Sequence, residues 1–158
     1  MRAAVAEFSF LSGESGALTD DLRELFADLS ASLGPEQHAY SGECHPALDV
    51  VETTDAVEIV MDVAGVPSKS LRVLFRNNIL VVAGEKAPAP VAPAPTFHLI
   101  EREFGRFARA VRLSGAFEVA QAHATLGAGE LRIVLPKRPD RRGRPQPIPV
   151  EPRSRRPA

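Results

Sequence analysis

Few side chains in this sequence stand where bond-making chemistry would need them. Cys44 and His45 are neighbours, the types that pair as thiol nucleophile and base or as half of a metal site. Adjacent side chains do not converge on one point, and Cys44 is the only cysteine, so a second thiolate ligand and an intrachain disulfide are both excluded. His38, His98 and His123 are scattered along the chain and read as single surface or edge histidines. Gly127-Ala128-Gly129 lacks the Lys-Ser/Thr that completes a phosphate-binding loop and the second half of a dinucleotide fingerprint, which leaves a hairpin turn. No catalytic residue, metal site, nucleotide site or cofactor is expected. The residues whose spacing implies binding are apolar. Ile148 and Val150 flank Pro149 inside a stretch of arginine and proline. Proline holds the chain extended there, so both side chains point the same way, as an anchor for a groove would require.

The elements that would carry such an anchor follow from periodicity. Leu18, Leu22, Leu25, Phe26, Leu29 and Leu33 keep helical spacing, opposite Asp21, Glu24 and Asp28. Thr19, Asp20 and Asp21 predict the start of that helix, and Gly34-Pro35 its end. A lone helix cannot bury its own stripe, so it must pack on the rest of the chain, on another subunit or on a bound protein. From Pro46 the period becomes two. Leu48, Val50, Val57, Ile59, Met61 and Val63 alternate with polar residues around the turn at Glu52-Thr53-Thr54-Asp55. Leu71, Val73 and Phe75 form the next strand, Asn77-Asn78 a tight turn, and Ile79 to Val82 another strand closed by Gly84. Phe97 to Glu103 is a candidate short strand, Phe107 to Leu113 alternates again, and Leu131, Ile133 and Leu135 end at Pro136, which has no amide hydrogen for another rung. Many short strands at this spacing predict an all-β sandwich.

Composition sets the outer limits. The 158 residues suit one domain with extensions: an N-terminal arm over 1–44, a β-sandwich over 45–136 and a C-terminal extension over 137–158. That extension holds eight Lys/Arg against Asp140 and Glu151, a charge of +6, which leaves −7 on the remainder of a chain whose net charge is −1. It has no aromatic residue to stack on bases, and Arg106, Arg109 and Arg112 do not share one strand face, so nucleic acid is not expected as a partner. The Ala/Pro run 87–95 reads as an extended spacer. Glu7 interrupts the apolar residues of the first dozen, so no signal peptide is expected. Nothing approaches the roughly 18 consecutive apolar residues of a membrane span. The expectation is a soluble cytoplasmic protein without a membrane partner.

Five segments in order resemble the α-crystallin domain of the small heat-shock protein family. They are Pro46 to Glu52, Asp62-Val63-Ala64-Gly65-Val66 (here without the usual proline), Asn78 to Lys86, Glu101 to Phe107, and Ala124 to Lys137, which carries Gly129-Glu130-Leu131 and Leu135-Pro136-Lys137. The resemblance implies an immunoglobulin-like β-sandwich and an ATP-independent holdase, which keeps unfolding client proteins from aggregating. It implies oligomers built from dimers, with Ile148-Pro149-Val150 as the oligomer anchor. The groove that receives it is expected between the strand of Val73 and Phe75 and the strand of Ala124 and Leu126. Bacterial-type members exchange a short strand between partners, which makes Phe97, Leu99, Glu101 and Glu103, with Arg109, the expected dimer interface. Candidate client contacts are Phe8, Phe10, Leu11, Leu22, Leu25, Phe26 and Leu29. The competing reading is a monomeric adaptor similar to the CS-domain co-chaperones.

Overall fold

Two antiparallel sheets face each other in the computed structural model, which describes residues 15–32, 44–88, 93 and 96–139. Strands β1 (Leu48–Glu52), β2 (Ala56–Asp62), β3 (Leu71–Arg76), β4 (Ile79–Lys86), β5 (Gly105–Arg112), β6 (His123–Gly127) and β7 (Glu130–Pro136) follow one helix, α1 (Ser15–Ser32). The first sheet has the order β1-β2-β7-β6 and the second β3-β4-β5. Alternation decides which side chains meet. In β2 and β7 the register sets Val57 opposite Leu135, Ile59 opposite Ile133 and Met61 opposite Leu131, and all six are buried. The second sheet answers with Leu71, Leu80, Val82, Phe107 and Val111, which join the same core.

The turns are the ones that the sequence predicts, for a backbone reason. Asn77 and Asn78 have φ of 51° and 60°, the paired positive values of the two-residue turn that matches strand twist. Ala128 (51°) and Gly129 (80°) repeat this between β6 and β7. Gly84 serves packing instead: a Cβ there would lie 2.4 Å from Phe107 Cζ and 2.9 Å from the Ser70 carbonyl oxygen.

Two expectations need correction. Phe97 to Glu103 forms no strand and pairs with none of the chain's own edge strands: residues 96–104 are irregular, and Phe97, Leu99 and Ile100 are exposed. The helix begins at Ser15, before the Thr19-Asp20-Asp21 cluster that was expected to start it. Its extra turn places Leu18 against Ile79 and Val81, and that burial outweighs the loss of an acidic first turn.

Strand β4 explains where α1 goes. Ile79, Leu80, Val81, Val82 and Ala83 are all buried, so both faces of β4 are covered. Leu80 and Val82 point into the sandwich, while Ile79 and Val81 pack with Leu18, Leu22 and Leu25 of α1. The stripe of α1 is thus buried on its own domain, the first of the three options open to it.

Candidate functional site

Surfaces that could hold another chain come from three places, and each has a structural cause. The first is the pair of edge strands β3 and β6. Each ends its sheet, so each has one row of backbone groups without a strand partner. Phe75 and Leu126 lie half-buried against the core, and the Phe75 ring meets Phe117 edge-on at 5.7 Å. Val73 is 39% exposed and Ala124 is exposed. The four residues expected to form the anchor groove therefore sit on these two edges, two held by the core and two open. Ile148, Pro149 and Val150 lie outside the described residues.

The second place is the outer face of β3-β4-β5. Alternation puts Leu74, Val81 and Ala110 side by side across the three strands. Around them the same face carries Arg72 and Arg76 from β3 and Arg106 and Arg112 from β5. Helix α1 meets this frame with complementary groups. Arg72 pairs with Asp28, Arg76 reaches Asp21 at 3.0 Å, and Arg106 donates to Ser30 Oγ at 3.2 Å. The Arg106 guanidinium also lies 5.6 Å from the centre of the Phe26 ring and 3.5 Å from the carboxylate of the buried Glu85. Among the expected client contacts, Leu29 is only 1% exposed, and Leu22, Leu25 and Phe26 are half-buried on this helix. In this arrangement they are covered by the chain itself. Phe8, Phe10 and Leu11 lie outside the described residues.

The third place is the segment before β5 with the free edge of β1. Phe97, Leu99 and Ile100 are 60%, 73% and 64% exposed, and Val51 on β1 is 50% exposed. Arg109 does not meet Glu101 or Glu103 within the chain. It donates to the Pro46 carbonyl at 2.7 Å, while Glu103 accepts the His45 amide at 3.4 Å. These two contacts tie segment 45–47, which leads into β1 of one sheet, to β5 of the other and to the residues just before it. The arginine frame has a sequence signal that was not used: Arg72 with Arg76, and Arg106 with Arg112, are even numbers of residues apart and so share a face in the two strands that flank an apolar one.

Of the residue types that could do bond-making chemistry, the described residues include Cys44 and His45. Cys44 is buried, and that burial pushes its thiol pKa up; nearby Lys86 pulls it down and Glu103 adds to the rise. His45 is exposed and turns only its amide to Glu103. Among the described residues, no three His, Cys, Asp or Glu side chains cluster to hold a metal ion, and no helix is long and apolar enough to cross a membrane.

The arrangement has close counterparts. The Hsp20/alpha crystallin family model matches residues 49–151. The chain is 33% identical over 95 residues to spore protein SP21 of Stigmatella aurantiaca, covering 60% of this chain and 56% of that one. It is 32% identical over 105 residues to an 18.9 kDa heat shock protein of Oryza sativa, covering 66% and 59%. The chain thus spans under two thirds of the length of these relatives. Among solved structures, a small heat-shock protein from Xylella fastidiosa superposes with a TM-score of 0.60 at 26% identity, covering 69% of this chain and 98% of that one. The family model spans more than half of the sequence and the superposition agrees with it, so the chain belongs to the Hsp20/alpha crystallin family.

Proposed function

We propose that this chain is a cytoplasmic, ATP-independent holdase that binds unfolding proteins and works as an oligomer built from dimers. The observation that carries this is the exposed Phe97, Leu99 and Ile100 in a segment that no strand of its own chain pairs. Three large exposed apolar side chains within residues 97–100, in a chain whose β1 edge is open, favour strand exchange with a second copy. In that dimer, residues 97–103 of one subunit would lie along β1 of the other, with Arg109 bracing the Pro46 carbonyl behind that edge. The Xylella relative is described as having a distinct high-order structure, which supports assembly beyond the dimer.

Ile148-Pro149-Val150 would supply the larger assembly by docking between β3 and β6 of a neighbour. Burying two such side chains contributes about 3–6 kcal/mol, opposed by about 1–2 kcal/mol for each tail residue that becomes ordered. One anchor is then weak, on the order of millimolar, while several on linked subunits hold because each further contact is intramolecular. Subunits that exchange, and so expose apolar surface on demand, are the consequence. Client contacts would come from Phe8, Phe10 and Leu11, and from Leu22, Leu25, Phe26 and Leu29 once α1 leaves the sheet.

Light scattering on the full chain, with suppression of aggregation of a heated test protein, checks both parts. The expected result is a particle much heavier than a dimer that suppresses aggregation without ATP. Replacing Ile148 and Val150 with Gly should leave folded dimers. A monomer that protects nothing would sink the holdase reading and favour the adaptor.

A further inference from the structure

Between the first two turns of α1 and the β3-β4 hairpin lies a cavity of about 230 Å³. Leu18, Ile79 and Val81 make its apolar wall, Ala17 lines its mouth, and the Asp21–Arg76 ion pair stands at its polar side. A dry apolar cavity of roughly 150 Å³ suffices to hold a benzene ring, so this one has room for a phenyl group. The Arg76 side chain is 58% exposed, which leaves a guanidinium at the rim that can lie over an aromatic face.

We propose that this cavity is the seat of the Phe8-Ser9-Phe10-Leu11 segment of the same chain, with one phenyl ring inserted beside Leu18. The cavity sits at the very end of α1 from which that segment departs. Leu11 precedes Ser15 by four residues, and four extended residues reach at most about 14 Å, enough to fold back over a first helical turn. The sequence between Leu11 and Ser15 includes Gly13, a residue type that tolerates the backbone angles of a tight turn. So short a tether raises the effective concentration of the ring far above that of any free chain. Two phenylalanines spaced by two suit a ring-sized, arginine-rimmed cavity. Ile148-Pro149-Val150 offers no aromatic group to that rim.

One consequence rests on the holdase reading of the previous section: Phe8 and Phe10 would be withheld from clients while α1 is docked, and released with it. The docking itself stands apart from that reading.

The test uses the absence of tryptophan from the sequence. Phe8→Trp and Phe10→Trp each give a single reporter in the full chain. At least one should show blue-shifted emission and several-fold weaker quenching by acrylamide than free tryptophan. Ala17→Leu, at an exposed helical position, should fill the mouth of the cavity and abolish that protection. Independently, Phe10→Cys with Arg76→Cys in a Cys44→Ser background should close a disulfide within one chain on mild oxidation. Reporters as quenchable as free tryptophan, protection indifferent to Ala17→Leu, or disulfides only between chains would each overturn the proposal. Aggregation assays of the same variants test the consequence separately, so docking without any change in client protection refutes only the withholding role.

Discussion

Replacing Leu29 with Ala should detach α1 and leave the sandwich standing. Leu29 is 1% exposed and Leu18 is 7% exposed, with Leu22 and Leu25 half-buried beside them. At about 1.5–3 kcal/mol for each fully buried leucine and half that for the partial ones, the stripe contributes roughly 4–9 kcal/mol before ordering is subtracted. A helix of this length is marginal alone in water, so the net docking energy is a small remainder. The exposed ion pairs add about 0–1 kcal/mol each. Truncating a buried leucine costs about 2–5 kcal/mol, as much as that remainder. A loss of about 2 kcal/mol raises the detached fraction roughly 30-fold. Limited trypsin digestion reads this directly, because Arg23 is the only Lys or Arg between Arg2 and Lys69 and lies in the middle of α1. Cleavage there should accelerate by about that factor when opening is fast relative to cutting. The melting of the sandwich should barely move, since no α1 residue belongs to its core. Unchanged cleavage at Arg23 together with a lowered melting temperature would show α1 to be an integral layer and refute the reasoning.

Gly84→Ala should destabilise the sandwich by at least about 1–3 kcal/mol, because the added methyl strikes the Phe107 ring and a backbone oxygen that cannot rotate away; thermal melting checks it. Arg109→Ala should weaken the dimer and loosen the segment around Pro46, read by dissociation on dilution and by amide exchange at residues 45–48. Cys44 should react slowly with a thiol reagent at neutral pH and fast after unfolding. Because burial raises its pKa in the folded state, its contribution to stability is present below pH 9.0, the ordinary thiol value, and is lost as pH rises above it; denaturant melts across that range measure the decline, which Cys44→Ser should remove.

The sandwich was legible because its signals are local. Alternation in β2 and β7 names the buried pairs, and Asn77-Asn78 can adopt the turn that it is placed in. The position of α1 was harder to read, since a helical stripe states that it will be covered and leaves open by what. The unbroken apolar run from Ile79 to Ala83 held the answer: a strand facing one core shows alternation, and a strand buried on both faces does not. Residues 97–103 misled for the opposite reason. A strand exists only where another strand pairs with it, and no property of seven residues names that partner. The donor role of Arg109 toward Pro46 was equally invisible, since sixty-three positions separate them.

The arginine frame on the outer sheet has a meaning that appears only once α1 has left. The uncovered strip carries Leu74, Val81 and Ala110 with Ile79, Ala83 and Ala108 beside them, bordered by four guanidinium groups with Glu85 as the one acid of the face. Two such faces meeting in solution would bring eight positive charges together around a narrow apolar strip, and the repulsion opposes contact at close range. A neutral or acidic unfolding segment meets no such barrier. In the proposed holdase the face would discriminate by charge against copies of itself, leaving the opened chain self-avoiding while other chains meet no such barrier. Salt should weaken that discrimination by screening, and Leu29→Ala protein should begin to self-associate through this face as ionic strength rises.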